Sequence, residues 1–124
     1  MSQFVKSFSK SLVSAADLSA NAGYIAKLDT SGNVVLAAAA TDNIVGVIED
    51  GAGASGTAVS YQFLGTAKVK AGGTISIGAW VTADSAGKGV ATTTDKDVVI
   101  GRALEAAVSG DIIEVQLGIH KISI

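Results

Sequence analysis

Apolar and polar residues alternate along much of this chain with the two-residue period of a β-strand. Val59, Tyr61 and Phe63 alternate with Ser60 and Gln62, and Ile113, Val115 and Leu117 alternate with Glu114 and Gln116. Ala67, Val69 and Ala71 face opposite to Lys68 and Lys70. Each pattern is that of a strand with one buried face. Shorter apolar runs at 24–28, 34–36, 44–48, 79–83 and 98–104 predict further strands. The breaks between them are built from Asp, Asn, Ser and Gly, and the chain has no proline. At 29–33 (Asp-Thr-Ser-Gly-Asn) and 84–88 (Asp-Ser-Ala-Gly-Lys) the aspartate can bond the backbone two residues on, and the glycine takes the positive φ of the turn. Gly46, inside a strand pattern, marks a bulge or a close backbone approach. Residues 102–108 are the one stretch that reads as a short helical turn.

The pattern occurs twice. Shifted by 55 residues, Gly23, Asp29, Gly32, Val35, Asp42 and Gly46 fall on Gly78, Asp84, Gly87, Val90, Asp97 and Gly101. With one residue dropped, Ser55, Gly56 and Gln62 fall on Ser109, Gly110 and Gln116. Matches at turn glycines and inward apolar positions predict one supersecondary unit used twice, at 23–64 and 78–118. The predicted fold is therefore all-β with little or no helix: a compact barrel or sandwich of two similar halves. Residues 22–124 form the single β domain, and 1–21 an extended N-terminal arm.

Composition narrows the picture. At 124 residues the chain is one domain with room for a core. Hydrophobic residues make up 48% and charged residues only 16%, which points to surface covered by a partner. The net charge is −2; two of the nine basic side chains and none of the eleven acidic ones lie in 1–12, which leaves −4 on the rest. No basic field is available to hold a nucleic acid directly. Cysteine is absent. The longest apolar run, 34–40, is far short of the ~20 residues of a membrane span, and 1–21 lacks the apolar stretch of a secretory signal. No membrane partner is expected.

The candidate chemistry is thin. Residues 51–56 spell G-x-G-x-x-G after a strand, but a dinucleotide site needs a helix next, and residues 57–63 alternate as a strand. Asp29, Ser31 and Asn33 begin like a calcium loop, yet Val34 and Ala40 stand where the glycine and the bidentate glutamate belong. His120 is the only histidine and lies near the chain end. Glu49, Asp50, Asp95 and Asp97 lie beside turns, as solvated carboxylates do. No catalytic residue, metal or cofactor is expected, and the chain does not read as an enzyme. Trp80 is assigned to the core or to a subunit interface. In the arm, Phe4, Phe8 and Leu12 share a face in either helical or extended backbone. Such an arm orders against something else.

The series Gly78-Ala79-Trp80-Val81, Gly87-Lys88, Thr92-Thr93-Thr94, Ile100-Gly101-Arg102-Ala103-Leu104-Glu105-Ala106-Ala107, Ser109-Gly110-Asp111 and Val115-Gln116-Leu117 resembles the small capsid decoration, or cement, proteins of tailed bacteriophages. Residues 78–118 carry the likeness; the first copy and 65–77 match loosely, and 1–21 only as a variable arm. The resemblance implies a β-rich structural virion protein that assembles as a homotrimer. Such a protein is made in the host cytoplasm and sits on the outer capsid surface. There it bridges major capsid proteins against the pressure of packaged DNA. Phe4, Val5, Lys6, Phe8, Lys10 and Leu12 would then bind the capsid. Two other readings stand beside it: another virion component, such as a head fibre base or minor capsid subunit, and a glycan- or small-ligand-binding β-module.

Overall fold

The alternating stretches become strands that pair almost entirely with one another. In a computed structural model that describes residues 8–49 and 53–123, the strands are β1 (Phe8–Val13), β2 (Ile25–Leu28), β3 (Val34–Leu36), β4 (Ile44–Ile48), β5 (Ala58–Lys70), β6 (Trp80–Ala83), β7 (Gly89–Ala91), β8 (Val98–Ala103) and β9 (Ile112–Lys121). The order is β3-β2-β4-β5-β9-β8-β6-β7, with β1 on β5 and every strand pair antiparallel. The fold is all-β, and the described residues contain no helix.

The expected helical turn at 102–108 is absent. Arg102 and Ala103 complete β8, and Ala107 exchanges both backbone hydrogen bonds with Ile75 at 2.9 Å. The helix preference of three alanines is small beside two such bonds.

Two further differences concern β5. The strands expected at 59–63 and 66–71 form one strand of 13 residues. Gly65, at φ 93°, turns the strand without ending it. The first half of β5 pairs with β1 and β4, and the second half with β9. The described part of the expected arm lies on the domain instead of standing away from it. Ser9 to Val13 run opposite Gln62 to Ala58. Beyond β1, Ala15 N donates to Val34 O and Leu18 N to Gly53 O, both at 3.1 Å. Leu18 is buried. The arm is retained because it covers the edge of β5 opposite β4, both strands pairing with Tyr61 and Gln62, and an open edge favours pairing.

The sheet curls. The end of β1 reaches β3 through the parallel bridge Ser14–Val34, and the end of β5 reaches β7 through Ala71–Gly89. Apolar side chains fill the curls in two clusters. One joins Leu18, Ala26, Val34, Ile48, Val59 and Tyr61, with Leu12, Tyr24 and Leu36 at its margin. The larger one holds Val69, Ile75, Val81, Ile100, Ile113 and Val115, and it also takes Ile25 and Val47 from β2 and β4. The start of β2 is thus buried on both faces, Ala26 to one side and Ile25 to the other, before Lys27 breaks the apolar run.

Equivalent turns have equivalent bonding. Asp29 Oδ1 accepts from Ser31 N and Asn33 N at 2.9 Å, and Asp84 Oδ1 accepts from Ala86 N at 2.8 Å and Lys88 N at 3.0 Å. These carboxylates shape their own turns, as the sequence predicts. The registers repeat too: Ala26 faces Leu36 and Gly46, and Val81 faces Ala91 and Gly101.

Asp42 holds the 38–42 corner. Its Oδ2 accepts from Ala38 N at 2.8 Å and Ala39 N at 3.1 Å, and Lys27 Nζ lies 3.2 Å away. The Ala38 bond first, then Lys27 and Ala39, hold the carboxyl below its ordinary value of 3.8 against the opposing pull of burial. A depressed folded-state pKa contributes stability that is complete above the unfolded value and is lost as pH falls through the folded one. D42N is therefore expected to lower stability at neutral pH and to flatten the fall below about pH 4. Urea unfolding of both proteins between about pH 2.5 and 7 measures it. Parallel stability curves would show that Asp42 does not contribute.

Candidate functional site

Alternation along the outer strands brings separate side chains to one surface. Trp80 on β6 lies opposite Arg102 on β8, and Arg102 lies opposite Gln116 on β9. The neighbours Val81 and Val115 turn into the core. Trp80 is half-buried, and it belongs to neither apolar cluster. The Arg102 guanidinium stands 4.0 Å from the indole centroid, a cation–π contact. The His120 ring meets the indole edge-on, with centroids 4.6 Å apart at 79°. His120 Nδ1 is 2.9 Å from Gly118 O; a carbonyl only accepts, so this nitrogen carries the proton.

A groove of about 550 Å³ runs beside the indole between Gly78, Trp80, Ala91, Thr92, Thr93 and Arg102. Apart from Trp80 its lining is small side chains, and Arg102 is its one cation. At the end of the second curl, Ile77 is 71% exposed and Val108 59%. They flank a shallow groove with Thr74 and Ala106. Exposed large apolar side chains grouped in this way mark surfaces that meet other surfaces. A wider, polar recess is lined by Glu49, Gln62, Lys68 and Glu114, and Ile112, also 59% exposed, lies in it.

The predicted site residues fall into three places. Phe4, Val5 and Lys6 lie outside the described residues, as does the side chain of Phe8. Lys10 is exposed on β1. Leu12 packs against the Leu18–Val59 cluster, so the protein's own core takes up most of it. Gly51 and Ala52 of the G-x-G-x-x-G loop lie outside the described residues, and the segment after the loop is β5. His120 is exposed on β9, and Asp97 is buried beneath Thr92, whose hydroxyl donates to its Oδ2 at 2.5 Å. Among the described residues no three His, Asp or Glu side chains gather as metal ligands. Sequence reasoning missed the Arg102–Trp80 stack and the Ile77–Val108 groove. The sequence reads Arg102 as the start of a helical turn, and only strand pairing puts it over Trp80.

The curled sheet thus presents Trp80 under Arg102 on one face and the exposed Ile77 and Val108 at one end. The phage cement proteins match residues 29–119, and this chain belongs to that family. It is a structural protein of the virion, and its family implies binding to capsid proteins. The crystal structure of the head fibre gp8.5 N base of bacteriophage phi29 shares the fold, with a TM-score of 0.65 and 17% identity over 96% of this chain and 100% of that one. No curated protein matches the chain.

Proposed function

We propose that this chain decorates the outer surface of an assembled phage capsid and cements it by bridging neighbouring major capsid proteins. The observation that carries this reading is the exposed apolar end, Ile77 and Val108, on a member of the cement family. Side chains of this kind contribute when they are desolvated against a complementary surface. The N-terminal residues Phe4, Val5, Lys6, Phe8 and Lys10 add a second contact in the same reading, and Leu12 leaves the set. Bridging requires more than one contact per assembly, and a homotrimer supplies it.

We read the fold as one five-stranded unit used twice, which extends the repeat seen in the sequence. The support is that β1 lies on the first half of β5 as the second half of β5 lies on β9. Leu12 faces Val59 as Val69 faces Ile113, and Lys10 faces Tyr61 as Ala67 faces Val115. On this reading the first unit begins at β1 and the second at Gly65, so β5 serves both.

The binding test uses undecorated capsids. I77D and V108D each place a charge where an apolar contact is desolvated. Each is expected to weaken binding about tenfold or more while circular dichroism stays unchanged. Removal of residues 1–7 tests the second contact separately. Full affinity in both exposed-end variants would remove that end from the interface. Electron microscopy of decorated particles then shows whether density for the chain lies on the outer shell. The head fibre base is a second structural reading, supported by the shared fold alone.

A further inference from the structure

The repeated unit leaves one socket filled and one empty. In the first unit, the turn at 84–88 is seated against β2 and β3. Ile25 N donates to Gly87 O at 2.7 Å, and a Cβ on Gly87 would meet Ala37 O at 3.2 Å, Ile25 O at 3.3 Å and Leu36 Cβ at 3.3 Å. The residues 55 positions after Ile25, Leu36 and Ala37 are Trp80, Ala91 and Thr92. These line the open groove beside the indole. The residue 55 positions before Gly87 is Gly32. It has nearly the same φ, +83° against +81°, and the same Asp-anchored turn, yet it is exposed with nothing within 4 Å of its Cβ direction. Gly87 itself is buried.

A second packed contact of the first unit, Gly23 against β5, has no counterpart in the second. Gly23 O accepts from Lys70 N at 2.9 Å, and a Cβ on Gly23 would meet Lys68 O at 3.2 Å. Its counterpart, Gly78, has nothing within 4 Å of its Cβ direction. The charges also differ between the two pairs in a consistent way. The seated turn carries Lys88 and its socket has Val47, whereas the free turn has Asn33 in place of the lysine and the free socket has Arg102 in place of the valine. The free pair thus avoids opposing two cations.

We propose that a second copy of this chain seats its 29–33 turn in the groove beside Trp80. The two surfaces are different, so the contact is head-to-tail. It closes into a ring when the rotation allows, and a trimer is the ring expected here. The inference rests on reading the chain as a self-assembling cement protein built from a repeated unit.

Two exposed positions outside the core allow the test: Ser31 at the tip of the free turn and Thr93 at the rim of the free groove. S31W and T93W each obstruct one partner surface. Each alone is expected to weaken self-association by about 30-fold or more in analytical ultracentrifugation, with circular dichroism and melting unchanged. An equimolar mixture is expected to form dimers and nothing larger, because T93W keeps the turn and S31W keeps the groove. S31R and T93R serve if either tryptophan variant misfolds. Variants that assemble like the wild type, or a mixture that stays monomeric, overturn the proposal. Loss of capsid binding by T93W with self-association intact would assign the groove to capsid protein instead. A wild-type chain that is monomeric both free and on the particle overturns the self-assembly reading itself, while the capsid-binding test with I77D and V108D still stands.

Discussion

G101A is expected to lower stability by about 3 kcal/mol or more, the range reached when a substitution forces backbone apart inside a core. Gly101 lies in β8 with φ 153°, and a Cβ there would collide with Gln116 O and stand 2.8 Å from Gln116 C. Those are main-chain atoms of β9, so no rotamer change relieves the clash. β9 must move away from β8 and take with it Val115 and Leu117, both core residues. Gly46 stands in the same relation to β5, against Gln62 O. Gly118 has nothing within 4 Å and no left-handed φ, so G118A is the control and is expected to stay within about 0.5 kcal/mol. Urea unfolding with a common m-value compares them. Equal midpoints for G101A and G118A would mean that β8 and β9 leave room for a side chain between them.

Deleting residues 1–13 is expected to lower the melting temperature by about 10 °C or more, since each kcal/mol is worth roughly 3–5 °C in a domain of this size. The deletion removes β1 and with it the ladder from Ser9 to Val13 along β5. It also uncovers the Leu18–Val59 cluster on the side where Leu12 packs. The first half of β5 then becomes an open edge over much of its length, a template for aggregation. Hydrogen exchange should rise first in β2, β3 and the start of β5, the strands that surround that cluster. A truncated chain that melts with the full-length protein would return residues 8–13 to the status of a dispensable arm.

These two results concern features that are legible in the sequence to different degrees. The close approach at Gly46 is readable because a glycine within an apolar strand pattern marks a place where a side chain would not fit. Gly101 is readable only as its counterpart at a shift of 55 residues. β1 is not readable as part of the domain. Phe-Ser-Lys-Ser-Leu-Val carries too few inward apolar residues to separate a short strand from an arm that waits for a partner. The same weakness hides the merging of 59–63 with 66–71, since Gly65 between two apolar stretches reads as a break and here only bends the strand.

The sequence by itself determined the all-β class, the positions of most strands, and the two Asp-anchored turns. Those depend on local rules: two-residue alternation, and a carboxylate bonding amides two and four residues ahead. Tertiary structure decided which side of each strand meets the core and what covers the other side. Ile25 and Trp80 hold the same register position, opposite Val47 and Arg102 respectively. Ile25 is buried because the second curl packs over it, while Trp80 is half-buried beneath a guanidinium at the surface. A period of two states that a strand has two faces. Only the pairing of distant strands assigns one face to the interior and leaves the other for a partner.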